Sequence, residues 1–522
     1  ASRRSPAATV LAASTAAAAC CGRLGRGRGR KAQRRPRHTL AATASAVAVA
    51  TASVLSAPGG AAQESGGAER VEVAAWHAAR RRAILEAHPE VADLCGPDWR
   101  TLPLLVASNI AQLGLAVVSG NALSAAGADD YSMTLFGVLA LATGVGGTLS
   151  LWSFSVLHDM VHGTVVRADK STREALLFWL SFPTIFGYHL YLQRGHLAHH
   201  RNLGRASMGQ LFESSRREFE DGDVLFVAHR QPLVGRAFEW EVPLPGDCEG
   251  KARFSPSISF NVFSRLWDRS GEGPAQSPRS SDNSGGGEEE VELWRAIRNG
   301  ALYSFSMTFE RCALAVNDKL VAITGTNYFF PNKPAEFQAG CATYARCAAL
   351  LHAALFALSG PGALIYLLVA ELAWQLPIHP GCGMFVSNHG SGRRADGGCA
   401  PTASLYVGGA WGVFDWICMF SNYHLEHHDF PDVGLLRLPE ISRIAPEFFG
   451  LEGSSSRGSP TPAPELAVAL AETDWVATLR GAFATPQPYA CSRLVGVLDD
   501  GYSGEQDSAA WAASAAIARS TA

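Results

Sequence analysis

The chain has 522 residues, of which 47% are hydrophobic and 17% charged, and its formal net charge is −3. Charge this sparse, against the ~25% of an average soluble domain, together with a mean hydropathy of +0.05, points to membrane spans diluted by polar segments. The near-neutral balance argues against a nucleic-acid partner, which needs a dense basic face. The odd set of 11 Cys, with no CxxC pair, gives neither a disulfide framework nor a zinc ribbon.

Residues 1–63 hold Arg and Lys but no acid, the first being Glu64, and have the Ala/Ser/Arg-rich composition of a targeting leader or a disordered tail. From Val71 to Arg100, Trp76, Ala79, Ala83 and Ile84 recur at helical spacing among Arg80, Arg81 and Arg82, the pattern of a helix on a membrane surface. Leu104–Ala126 and Met133–Val156 each reach the ~20 apolar residues a spanning helix needs. Asp129 and Asp130 lie in the turn between them, so the pair predicts a hairpin that starts and ends on the cytoplasmic side, where its basic flank belongs.

Ala175–Leu192, interrupted by Pro183, Gly187 and His189, reads as interfacial. A second hairpin is expected over Cys341–Leu358 and Ala363–Ile378, turning at Gly360-Pro361-Gly362. A polar insertion, 204–300, separates the N-terminal half (71–203) from the C-terminal half (301–493). Its Ser/Gly/Glu-rich part, Arg269–Glu292, is expected to be disordered, and 494–522 is a tail. The fold expected is therefore an all-α integral membrane protein. About four transmembrane helices form two hairpins, with interfacial helices and a cytosolic-side helical cap.

The histidines carry the chemistry. His158 and His162 form an HxxxH at the end of the second span. His196, His199 and His200 form an HxxHH after the third apolar segment, and His424, His427 and His428 form another after the run Gly409–Tyr423. Spacings of i, i+3 and i+4 put imidazoles on one helical face. Such a set exceeds the four ligands of one tetrahedral zinc and suits two metal ions that keep open positions for O2. A di-iron centre attacking an unactivated C–H bond is chemistry that side chains alone cannot perform. His389, near the exit of the last span, is a candidate additional ligand. Asp159, Glu426 and Asp429 are placed to accept the outer N–H of ligand rings. Two complete hairpins would bring all three boxes to one membrane face. His189 and His352 read as packing residues, the loop His379-Pro380-Gly381-Cys382 carries no haem domain around it, and His38, His77, His88 and His229 are assigned no role.

At these boxes the sequence resembles the membrane fatty acid desaturase superfamily, and within it the sphingolipid Δ4-desaturase (dihydroceramide desaturase) family. The phrases that carry the likeness are WHAARRRAILEAHPEVADLCGPD (Trp76–Asp98), HDMVHGT (His158–Thr164), HLAHHRNLG (His196–Gly204), LPIHPGCGMFVSNH (Leu376–His389) and SNYHLEHHDFP (Ser421–Pro431), the last continuing into LPEISRIAPEFF (Leu438–Phe449). The sequence departs from the family pattern at Asn388, where an acid is usual, at Pro401–Gly408, and in the length of the insertion. The resemblance implies a di-iron enzyme that oxidises the C4–C5 bond of dihydroceramide, with C4 hydroxylation as a related outcome. O2 would be the co-substrate, and electrons would come from cytochrome b5 and its reductase, since no haem, flavin or iron–sulfur motif is evident in this chain. It assigns the metal to His158, His162, His196, His199, His200, His424, His427 and His428, with His389 as the additional histidine. The endoplasmic reticulum is the expected membrane, with a plastid membrane as the alternative that the basic leader suggests. Two other readings share these features: an acyl-lipid desaturase or carotenoid ketolase or hydroxylase of a plastid, and a non-catalytic lipid-sensing homologue.

Overall fold

The computed structural model describes residues 73–184, 240–243, 251–254, 287–327, 335–397, 399–451 and 461–484, all within one compact unit, Glu69–Ala522. The leader, the second histidine box and most of the insertion lie outside the described residues.

Helix α1 (Val73–Ala87) leads through a 3-10 turn, Pro89–Leu94, into α2 (Thr101–Ala125). Helix α3 (Tyr131–His162) returns the chain and contains a π segment, Ala142–Gly146. The amphipathic α4 (Lys170–Leu180) follows, its N-terminus capped by the Asp169 side chain, which accepts from the Thr172 N–H. A short antiparallel pair, β1 (Trp240–Pro243) and β2 (Lys251–Phe254), precedes the long α5 (Gly287–Thr324). Then come α6 (Ala335–Ser359), α7 (Pro361–Ala373) and α8 (Gly381–Ser387). A second antiparallel pair follows, β3 (His389–Arg393) with β4 (Cys399–Thr402). The C-terminal cap consists of α9 (Val413–Cys418), α10 (His424–Asp429), α11 (Leu438–Ile444) and α12 (Trp475–Ala484).

The architecture is helical and membrane-type, with two small strand pairs among the described residues that an all-α expectation does not include. Among the described residues, three helices are long and apolar enough to cross a membrane: Thr101–Ala125, Tyr131–His162 and Gln338–Ser359. The fourth expected span is shorter than predicted. Its helix stops at Ala373, because the apolar run continues through Trp374 and Gln375 into turns ahead of Pro377. Helix α5 begins at Gly287, inside the stretch expected to be disordered. It was missed because Arg311, Asp318 and Lys319 dilute its apolar face, whereas folding buries Arg311 beside the equally buried Glu371 of α7, 3.5 Å away. Ionisable groups at membrane depth commonly face the bundle interior in such pairs. The amphipathic run Gly409–Tyr423 also departs from a continuous helix. Only Val413–Cys418 is helical, and Met419 and Phe420 have positive φ.

Small residues and buried polar groups hold the spanning helices together, since burial of apolar surface provides little drive within lipid. Where α2 meets the turn between α6 and α7, a Cβ on Gly120 would lie 2.4 Å from the Ser359 carbonyl oxygen at the end of α6 and 3.0 Å from the Ala363 nitrogen of α7, so only glycine permits the approach. The carbonyl of Gly146, in the π segment, accepts from Gln112 Nε2 at 2.7 Å, while Asn109 Oδ1 accepts from Ser153 at 2.9 Å. These bonds fix α2 against α3 and hence the depth at which the first histidine box emerges. Beyond the bundle, a continuous core joins Trp76 and Ile84 of α1 to Leu157 and Met160 of α3, and to Phe420, Phe430 and Phe448 of the cap.

Candidate metal centre

Helix α3 presents His158 and His162 one turn apart, with ring centroids separated by 5.4 Å. From the cap, the His427 ring lies 4.5 Å from that of His158 and 4.7 Å from that of His162. One ring nitrogen from each of the three falls within 4.8 Å of the others. Metal–nitrogen bonds of ~2.0–2.1 Å place two ligands of one ion no more than about 4.2 Å apart, so small side-chain adjustments would complete the grip. His424 and His428 continue the cluster, their Nε2 atoms 3.1 Å apart and the His424 ring 5.9 Å from that of His427. Burial pushes the His424 imidazole down to about 3, which keeps it neutral with a lone pair to offer, the form a metal requires.

The two boxes reach this point by different means. His158 and His162 ride on a long spanning helix. Helix α10 has only six residues, all buried, and is too short to be stable by itself. Tertiary contacts therefore set its orientation. Asn422 Nδ2 donates to the Leu405 carbonyl and to Asp415, Ser404 Oγ accepts from the Leu425 N–H, and the Tyr423 hydroxyl donates to Asp415.

The acids expected to orient ligand rings have other partners. Glu426 accepts from the Ser404 hydroxyl at 2.5 Å and the Tyr406 hydroxyl at 2.7 Å; burial raises its carboxyl to about 7 against these two bonds. Asp159 Oδ2 accepts from the Leu435 N–H at 3.0 Å, joining the first box to the loop after the third, and its Oδ1 has no hydrogen-bond partner among the described residues. Asp429 accepts from His77 Nδ1 at 2.7 Å and Arg80 Nε at 2.9 Å.

His77, assigned no role in the sequence, thus lies at the site: its ring centroid is 5.1 Å from that of His428. Its Nε2 faces Thr402 Oγ1 at 3.2 Å, so both ring nitrogens are engaged. Its membership of the i, i+3 pair His77/Arg80 was the available signal, though nothing local says what that pair meets. His379 is similarly satisfied, accepting from the Gly381 N–H and facing Thr148. His352 faces Lys319 Nζ at 2.7 Å. His196, His199 and His200 lie outside the described residues. The His389 backbone opens β3 opposite Thr402, and its side chain lies outside the described residues.

Against the imidazoles lies a cavity walled by Phe154, Met384, Phe385, Leu435 and Leu438, with Ser155, Ser421 and Asn388 adding polar atoms. His158, His424 and His427 form its inner side. Trp374 braces the aromatic wall, stacked on Phe154 at 5.2 Å and edge-on to Phe385 at 5.4 Å. An apolar slot ending at imidazoles can bring a hydrocarbon chain to a metal held by them.

Two family models match the chain: fatty acid desaturase over residues 286–457, and sphingolipid Delta4-desaturase over residues 74–100. Over these two stretches the chain resembles the membrane fatty acid desaturases. It is similar to the sphingolipid delta(4)-desaturase of Komagataella phaffii, 24% identical over 72% of this chain and 77% of that protein. Human sphingolipid delta(4)-desaturase DES1 is 21% identical over 72% of this chain and 82% of its own. A shorter stretch is 36% identical to the Bos taurus sphingolipid delta(4)-desaturase/C4-monooxygenase DES2, covering 21% of this chain and 30% of that protein. No solved structure matches. The desaturase family is generally di-iron dependent and acts on lipids in membranes, and the convergent all-imidazole donor set fits such a centre.

Proposed function

We propose that this desaturase is a sphingolipid Δ4-desaturase, which removes two hydrogens from C4 and C5 of the sphingoid base of dihydroceramide to give ceramide, with C4 hydroxylation as an alternative outcome. The observation that carries the reading is the meeting of His158 and His162 with His427 at the inner side of an apolar cavity.

A pair of iron ions would be held by the three boxes, His158 and His162, His196, His199 and His200, and His424, His427 and His428, with His389 as a further ligand. Bound there, iron supplies the O2-activating redox chemistry that amino-acid side chains lack. The chain's own groups do the rest. Phe154, Phe385, Leu435 and Leu438 would bind the hydrocarbon and exclude water, holding the reacting carbons at the ~3–3.5 Å that reaction demands. Burial keeps His424 neutral and available as a ligand. Asp159 Oδ1 remains the acceptor proposed for a ligand ring, and Glu426 and Asp429 would act on their rings indirectly, by fixing α10. Each turnover consumes O2, two electrons and two protons and releases two waters with the alkene. We assign the electrons to a separate donor such as cytochrome b5 and its reductase, and the enzyme to the endoplasmic reticulum.

The test is expression in cells that lack Δ4-unsaturated sphingoid bases, with the donor present, followed by mass spectrometry of ceramides. Appearance of the Δ4 product is expected. Its absence, with a change in acyl-lipid or carotenoid pools instead, would replace this reading with another desaturase-type activity.

A further inference from the structure

Nothing in the chemistry above uses the N-terminal helix, yet His77, Arg80 and Arg81 of α1 all contact the segment that carries the third box. Asp429, the last residue of α10, is 2% exposed and lies between His77 and Arg80. His77 Nδ1 lies 2.7 Å from Asp429 Oδ1, and its Nε2 lies 3.2 Å from the Thr402 hydroxyl. Arg80 is fully buried. It donates through Nε to Asp429 and through Nη1 to the carbonyls of Phe448 and Leu466, with its guanidinium against the rings of Trp76 and Phe449. The next residue, Arg81, pairs with Asp432 at 2.6 Å and lies over Phe430. The chain after α1 continues the embrace, with Gly96 N–H donating to the Asp432 carbonyl and the Leu94 carbonyl accepting from Arg437.

We propose that α1 is the clamp of the third histidine box: His77 and Arg80 grip the Asp429 carboxylate and so fix the rotation of α10, on which His424, His427 and His428 stand. His77 is thus a positioning residue rather than a ligand. This rests on the metal-centre reading above. The physical reason is the shortness of α10: six residues cannot hold three imidazoles in register without an outside restraint, and a two-donor grip at its final residue opposes rotation about the helix axis. Its ring also packs on that of His428, 5.1 Å centroid to centroid, at a 37° tilt. Partners that orient ligand rings typically change metal affinity by about 10–100-fold when removed.

The experiment uses the full chain in detergent, stripped of metal and titrated with Co2+ without oxygen, following the ligand-field absorption of histidine-bound cobalt. Wild type is compared with His77→Phe, which keeps a ring but no donor, with His77→Asn, whose amide nitrogen can stand where Nδ1 does, and with Arg443→Gln as a remote control. His77→Phe should bind Co2+ at least about tenfold more weakly with an altered spectrum. His77→Asn should recover most of the affinity, and the metal-free melting temperatures of the two should match. The clamp is overturned if His77→Phe titrates like wild type. It is also overturned if His77→Asn is as weak as His77→Phe and both lower the metal-free melting temperature equally, because that pattern belongs to general packing. The readout is metal affinity, so a wild-type chain that makes no Δ4 product yet gives the expected pattern refutes the proposed substrate and leaves the clamp standing.

Discussion

Replacing His427 with Ala tests the centre most directly, because this ring lies within 4.5 and 4.7 Å of the two rings of the first box and is the link between the two halves of the chain. Four-ligand structural sites bind zinc with roughly 10–16 kcal/mol, or about 2.5–4 kcal/mol per ligand. At ~1.4 kcal/mol per tenfold, losing this one imidazole should weaken metal binding by about two to three orders of magnitude. The matched control is His352→Ala, in α6, where the ring faces Lys319 at 2.7 Å. Its affinity should change less than about threefold, within 1 kcal/mol. The assay is metal per polypeptide by mass spectrometry, with a chelator competition for affinity and the metal-free melting temperature as a folding check. Full metal content in His427→Ala, or an equal loss in His352→Ala, would refute the assignment of the ion to this cluster.

Leu438→Trp, which fills the cavity without touching a ring nitrogen, should leave metal content intact while turnover on the lipid falls at least about tenfold, a barrier rise of ~1.4 kcal/mol; unchanged turnover would mean that the chain binds elsewhere. Gly120→Leu must push α2 from α7 and should cost about 1–3 kcal/mol of stability, seen as a lower melting temperature, whereas Gly114→Leu meets nothing within 4 Å and should be silent. Burial raises the Asp432 carboxyl, but the Arg81 hydrogen bond and charge outweigh it and hold the group below its ordinary range. The stability it contributes is therefore present above the unfolded value near ~3.9 and lost as pH falls through the folded one. Being half exposed, the pair should contribute under about 1 kcal/mol. The metal-free melting temperature of Asp432→Asn should then approach that of wild type below about pH 4 and fall short of it at pH 6; parallel profiles would contradict this.

Much of the site was legible because its signal is local. HxxxH and HxxHH at helical spacing mark shared faces wherever the helices end up, and the apolar runs of α2, α3 and α6 are long enough to read by counting. What misled was local as well. Helix α5 looks too charged to pack against a membrane bundle until Arg311 is seen beside Glu371. Asp159, Glu426 and Asp429 stand next to boxed histidines in the chain, yet a helix points neighbouring side chains in different directions: Asp159 Oδ2 meets Leu435, with Oδ1 left over, Glu426 meets Ser404 and Tyr406, and Asp429 meets His77 and Arg80. The pairing of His77 with Arg80 at i, i+3 could not say what the two meet, because their partner is 352 residues from His77.

The sequence by itself determined the donor type, the helical spacing of the imidazoles and the apolar lengths that commit the chain to a membrane, since each depends only on neighbours along the backbone. Only the tertiary structure decided which rings meet, where the apolar cavity opens and what steadies α10. Those are relations between residues hundreds of positions apart, set by helix crossing and by competition among hydrogen-bond partners, and no periodicity encodes them.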